Sequence, residues 1–413
     1  MTLSTATVWE VRTTGSQNNG GGYTSGGTDY SQQDAAQLNP TDLACLDTST
    51  TLTSATGGFT SAMVGNIIHI TAGTQFTVGW YEITGYTDTN TVTIDRTAAV
   101  AGQNATAGTG YVGGAFKIGG SLDDEFFTEK VEGNITYIKA GTYTATEHID
   151  VQADPAGTAT TPIIIEGYNA VRGDFPTGDN RPLLIMGNYR FKTSVFYYVK
   201  HLRFTTTEST GVYPYYSNVV LNCKCQNTSG TAGYSAFYGA VRGIIFISCE
   251  AISDNGIGFL LYSDMAINCY AHNCGTYGYR LSYTYNQVIN SIADTCGTAG
   301  IDINSRQYSN VIGNTIYNCG TGISGTTGDS NSFINNIIDS CTVGAEWTTE
   351  TPGNFWDYNC WNNTDDTELV TAGDHDLLAT DPLLNAPATG DFTLQVGSPC
   401  FDAGLKLGAD VGL

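Results

Sequence analysis

Arg280, Asp302, Ser324 and Glu346 recur at one position of a repeating segment, each second after a glycine, with Leu260 at the same place one segment earlier. If the segments stack at the spacing of paired strands, about 4.8 Å, Arg280 and Asp302 are one spacing apart and Asp302 and Glu346 two, roughly 9.6 Å. Ile301 and Ile303 alternate with Asp302, so they face a core and Asp302 is expected to face solvent. Inverting cleavage of a glycosidic bond needs two carboxyl groups about 6.5–9.5 Å apart, with room for a water between them, and this column sits at the upper end of that range. The plainer reading is an Arg–Asp cross-strand surface pair.

Positioning such a column requires a regular stack, and the sequence supplies one. NCGTYGYRL (273–281), TCGTAGIDI (295–303), NCGTGISGT (318–326) and SCTVGAEWT (340–348) superpose, with Cys274, Cys296, Cys319 and Cys341 recurring every 22 or 23 residues. Between them QVINSI, NVIGNTI and SFINNII alternate apolar and polar residues as half-buried strands do, and helix signals are absent. A period near 22 with Gly and Asn at the bends predicts the stacked coils of a parallel β-solenoid. VVLNCKC, IIFISCE and MAINCYA extend the frame upstream through Cys223, Cys249 and Cys269, with more variable loops.

Ahead of the coils, TATVWEVR (5–12) reads as a first strand followed by a Gly/Asn-rich loop. TTLTS, NIIHIT, GWYEITGY and NTVTIDR then follow a hairpin rhythm, predicting a small antiparallel appendage over 45–113 after an N-terminal segment 1–44. A capping helix is expected at about 121–131, with Ser121 as N-cap, Asp123 and Asp124 at its positive end, and Phe126, Phe127 and Val131 as its apolar face. Such a cap would cover an otherwise open solenoid end. The parallel coils are placed at 114–350, and irregular last coils with a C-terminal cap at 351–413. Around that boundary Trp347, Trp356 and Trp361 could form a carbohydrate-stacking platform, although burying aromatics to close an uneven coil is the commoner use.

Sixteen basic against 39 acidic residues give a net charge of −23, which excludes nucleic acid and anionic membranes as natural partners. No run of 18 apolar residues is present, so no membrane insertion is expected, and the first residues lack the basic and apolar regions of a secretory signal. The eleven cysteines are odd in number and fall in register with strand positions, so most are expected as free, buried thiols. No CxxC pair offers a metal site, and no cofactor is expected. The single coil histidine, His272, reads as a satisfied surface residue, and Arg172-Gly173-Asp174 reads as turn chemistry rather than an adhesion motif.

On these repeats, together with GNITYIKAGTYT (133–144) and DPLLNAPATGDFTLQVGSPCFDAG (381–404), the chain resembles right-handed parallel β-helix proteins of the pectate-lyase-like superfamily, including phage virion-associated members. The fold implied is an all-β, single-stranded parallel β-helix with a small antiparallel β insertion and a short capping helix. The resemblance also implies that, in a lyase, carboxylate-bound calcium would acidify a uronate proton and an arginine such as Arg280 would abstract it. The function expected is that of a phage virion surface protein, a tailspike, fibre or head decoration reached after lysis. It would be a homotrimer touching other virion proteins and cell-surface polysaccharide. The rival readings are a polysaccharide lyase or glycoside hydrolase, and a bacterial surface adhesin.

Overall fold

A strand with apolar residues at every second position buries one face only if a second layer covers it, and a 22-residue coil achieves this by turning its three strands toward a common interior. The computed structural model describes residues 3–151, 156–208, 210–239, 241–349 and 353–405. It divides into unit 1, residues 1–186 with 193–203, and unit 2, residues 187–192 with 204–413.

Unit 2 is a parallel β-solenoid whose coils each give one strand to three sheets. The first sheet runs from Val219–Leu221 through Ile245–Ile247, Met265–Ile267, Gln287–Ile289, Asn310–Ile312 and Ser332–Ile334 to Phe355–Asp357. The second runs from Lys224–Asn227 to Cys360–Asn362, and the third from Phe191–Lys192 to Asp365–Glu368. Inward side chains compensate for each other's size. Where the third sheet stacks Phe237, Phe259 and Tyr279 at ring separations of 5.0 and 5.1 Å, the second sheet supplies Cys225, Ala251, Ala271 and Ala293. Where the third sheet thins to Ile323 and Ala345, the second thickens to Ile316, Ile338 and Trp361. Bulk on one sheet is thereby partly offset by small residues on the other, as close packing demands.

The glycine three or four residues after each of Cys274, Cys296, Cys319 and Cys341 has a steric cause. A Cβ on Gly278 would lie 2.7 Å from the Gly300 carbonyl oxygen and 3.0 Å from Cys296 Sγ, so the glycine of one coil makes room for the cysteine of the next. All the repeat cysteines are free and buried, as the spacing predicts. The bends after the first-sheet strands use left-handed asparagines, Asn222, Asn268, Asn290 and Asn335 among them, a conformation asparagine tolerates better than most residues. A buried ladder follows: Asn314, Asn336 and Asn359 each donate Nδ2 to a backbone carbonyl of the preceding coil, and Asn314 also donates to Asn336, Asn336 to Asn359, and Asn359 to the Asp376 carboxylate.

Unit 1 carries its own parallel strands, Val8–Val11, Ile135–Lys139, Ile163–Tyr168 and Tyr197–Lys200. The antiparallel appendage closes completely, into a six-stranded barrel of Leu43–Cys45, Thr51–Ser54, Thr91–Ile94, Gly79–Asp88, Ile67–Thr74 and Ala105–Val112. Its interior holds Leu43, Leu52, Ile68, Ile70, Tyr81, Ile83 and Val92. The helix is shorter than expected, Asp123–Thr128, and Ser121 does not cap it. Leu122 holds the N-cap position, while the Asp123 carboxylate accepts from the Gly119 amide at 3.0 Å. Phe126 stacks on Phe116 at 3.9 Å and meets Trp9 and Trp80 edge-on. Val131 is only half-buried, and the interior place is taken by Lys130, whose ammonium lies 3.7 Å from the centre of the Trp9 ring and donates to the Phe126 carbonyl.

Candidate functional site

The strand register of the third sheet sets the expected residues on one outward line. Leu260 pairs with Arg280, Arg280 with Asp302, Asp302 with Ser324, and Ser324 with Glu346. The line also extends upstream through Lys192, Tyr213 and Tyr238. Beyond the buried Lys192, its upstream part carries Tyr213 and Tyr238 and its downstream part Arg280, Asp302 and Glu346.

Asp302 departs from expectation in one respect. It does not face open solvent but is 7% exposed. Arg280 Nε lies 3.3 Å from Oδ2, while the Asn304 amide and the Ser324 hydroxyl donate to Oδ1 at 2.9 and 3.2 Å. Burial pushes the carboxyl above its usual range, against the opposing pull of the Asn304 amide, the Arg280 charge and the Ser324 hydroxyl. Arg280 in turn lies over the Tyr277 ring, 4.9 Å from its centre. Glu346 accepts from the Thr321 hydroxyl at 3.2 Å and pairs in register with Glu368.

Around the aromatic half lie residues that the sequence reading passed over. Tyr213 and Tyr238 stack at 5.0 Å, and Tyr262 meets Tyr238 edge-on at 5.6 Å. Tyr262 also lines an open pocket of about 400 Å³ with Tyr216, Val241, Arg242 and Tyr283. In it the Arg242 guanidinium lies over the Tyr283 ring and donates to its hydroxyl at 2.9 Å. At the corner that follows, Tyr285 and Tyr308 stack at 5.3 Å while 64% and 49% exposed. Both have positive φ, 63° and 57°, at a corner where other coils place Ser217, Gly243, Ser263, Ser330 and Gly353. A bulky residue in that conformation is unfavourable, so the paired rings are held outward at a conformational cost. Extending the column alignment two coils upstream would have found Tyr238 and Tyr213. No sequence pattern marks the corner pair.

Trp347, Trp356 and Trp361 do not form a platform. All three are buried, Trp356 at 8% exposure. It stacks on Phe333 at 3.8 Å and meets Trp347 edge-on at 5.4 Å, while Trp361 Nε1 donates to Asp376 at 3.0 Å. They fill the last coils, where no further repeat would otherwise cover the interior. The Arg-Gly-Asp triplet is likewise engaged: Arg172 pairs with the buried Glu10 at 2.7 Å and with Asp29 at 3.3 Å, and Asp174 accepts from the amides of Asn169 to Val171.

A second polar cluster occupies the outer face of the second sheet. Lys224 and His272 both contact Glu250 Oε1, at 2.6 and 3.0 Å, and Tyr270 donates to Asp294 at 3.0 Å. Burial would raise the Glu250 carboxyl, but the bonds from His272 and Lys224 outweigh it and hold it at about 2. Phe392 of the C-terminal hairpin packs against Tyr270 and Tyr317, so this face is partly covered by the chain itself. Among the described residues no group of three or more His, Cys, Asp or Glu side chains is placed to hold a metal ion.

Residues 190–365 match the family model described as a right handed beta helix region. Together with the parallel register, this makes the coils a right-handed parallel β-helix. Among solved structures the chain is similar to the pectate lyase Pel9A, with 16% identity over 67% of this chain and 84% of that one and a TM-score of 0.46. It is also similar to a PL6 family polysaccharide lyase from Pseudopedobacter saltans, with 9% identity over 64% and 92% of the two chains and a TM-score of 0.34. A third similarity is to the catalytic unit of a GH87 alpha-1,3-glucanase from Streptomyces thermodiastaticus, with 10% identity over 84% and 88% and a TM-score of 0.31. No curated protein matches the chain.

Proposed function

We propose that this protein engages a polysaccharide along the outer face of the third sheet of unit 2. The observation that carries the reading is the single outward line on which stacked Tyr213 and Tyr238 lead to Arg280 and the buried Asp302. Sugar rings present apolar faces that stack on tyrosine and hydroxyls that need fixed donors and acceptors, and a column repeating at one strand spacing offers both along a polymer. In the setting expected from the sequence, a virion surface, such a face would hold the particle to cell-surface glycan, and a homotrimer would present it three times. A panel of bacterial capsular polysaccharides and pectins should yield at least one ligand, and Tyr238→Ala should weaken it about tenfold, the equivalent of ~1.4 kcal/mol. Retention of full affinity by that variant would refute the reading.

A second reading, cleavage of the bound glycan, is favoured by one observation. The Asp302 carboxyl is raised by burial and stands two register steps from Glu346, as a general acid stands from a base. In that case Asp302→Asn and Glu346→Gln would each abolish release of reducing ends or unsaturated uronates while leaving binding intact. Under binding alone the parent releases neither product.

A further inference from the structure

Ten of the eleven cysteines are buried, and Cys400 alone is half-buried. It also has a thiol neighbour of another kind. The cysteines of the repeats meet across directly stacked coils, where one cysteine follows another at the same point of each turn. Cys400 instead comes from the C-terminal segment beyond the hairpin Leu384–Leu394 and neighbours Cys360, on the last strand of the second sheet, whose thiol donates to the Thr380 carbonyl at 3.3 Å. Both line a cavity of about 170 Å³ bounded also by Asn335, Tyr358 and His375.

We propose that Cys360 and Cys400 are a redox-closable pair whose disulfide staples the C-terminal hairpin to the last coil. The other attachments of this segment are individually modest: Phe392 on Tyr270 and Tyr317, and hydrogen bonds between Asn335 and Leu405. A cross-link would close a ring spanning residues 360–400 and restrict the unfastened ensemble by loop closure. The chemistry needs a small disulfide such as oxidised glutathione. The Cys400 thiolate attacks one of its sulfurs, that S–S bond breaks, and one small thiolate leaves. Cys360 then gives its proton to solvent and attacks the Cys400 sulfur, expelling the second small thiol. Two protein thiols are oxidised by two electrons and one small disulfide is reduced to two thiols. Cys400 is suited to be the attacking group because it is the more exposed of the two thiols, and interaction with Cys360 and with the Ser398 hydroxyl holds it below the usual range.

The native protein is incubated with oxidised glutathione, its remaining thiols are alkylated, and it is mapped without reduction. The expected result is one cross-linked peptide pair, Cys360 with Cys400, the other nine cysteines being alkylated only after denaturation. Limited proteolysis within 381–405 should slow by about tenfold or more in the oxidised parent and be unchanged by oxidant in Cys400→Ser. A persistent glutathione adduct on Cys400 without the cross-link, or no oxidation of either residue, overturns the proposal.

Discussion

Arg280 and Asp302 stand directly opposite one another on adjacent coils, Nε to Oδ2 at 3.3 Å, with the carboxylate buried and the guanidinium a third exposed. Arg280→Met would remove one of the influences that lower the Asp302 carboxyl and leave burial less opposed, so that carboxyl should titrate higher than in the parent. Carbon-detected NMR of the Asp302 side chain measures this directly. An unchanged or lower midpoint would show that the pair is not electrostatically coupled.

The buried asparagine ladder should be a principal source of unit 2 stability. Asn336 Oδ1 accepts from both nitrogens of Asn314 at 3.0 Å, and its Nδ2 donates to Val311 and Asn359 at 2.9 and 3.0 Å. Asn336→Ala strands buried donors and acceptors on both neighbouring coils and should cost about 2–5 kcal/mol in denaturant unfolding. A loss below about 0.5 kcal/mol would mean that the ladder is replaceable by packing.

His69 gives unit 1 a dependence on pH. Its ring stacks on Trp80 at 4.0 Å with Nδ1 3.0 Å from the Asn18 carbonyl oxygen, and burial lowers its pKa to about 4. The unfolded chain protonates this residue at its ordinary value near 6.5 while the folded one does not. Stability is therefore full above about pH 6.5 and is lost as pH falls toward 4, by about 2–3 kcal/mol in all. His69→Gln should flatten that segment of the unfolding profile. A parent profile already flat between pH 4 and 6.5 would contradict the buried, neutral state.

The solenoid was legible because alternation, the recurring cysteines and the bend asparagines all report one period. Other features depend on neighbours that the period does not reveal. Trp347, Trp356 and Trp361 look like a surface platform by composition, yet they close the last coils from within. Asp302 lies on the predicted line, but its burial follows from Arg280 and Ser324 lying against it. Tyr238 escaped because Ala236 stands where the other coils have the marking glycine, and Tyr213 because it lies a longer coil, 25 residues, further upstream. The barrel strand Ala105–Val112 was missed because Gly108 and Gly110 replace the alternating apolar residues. A Cβ on Gly110 would come within 2.8 Å of Leu43 and 2.9 Å of Ile68, so the core itself excludes the usual strand signature there.

Steric necessity at Gly278 gives a check on coil spacing. Gly278→Ala places its new methyl against the Gly300 carbonyl, which is backbone and cannot swing away. The substitution should lower stability by about 2 kcal/mol or more and raise amide exchange in the adjacent coils, as overpacking does. Wild-type exchange and an unshifted melting midpoint would show the coils to be more widely spaced than described.

Hydroxyl-radical footprinting with a glycan ligand bound locates the glycan on unit 2, because tyrosine oxidation reads ring exposure residue by residue. Protection is expected at Tyr213, Tyr238, Tyr262 and Tyr283, while the exposed tail aromatic Phe401 keeps its reactivity. Protection confined to the second-sheet face around Tyr270 and Tyr317, or no protection in unit 2 at saturating ligand, would contradict binding along the third sheet.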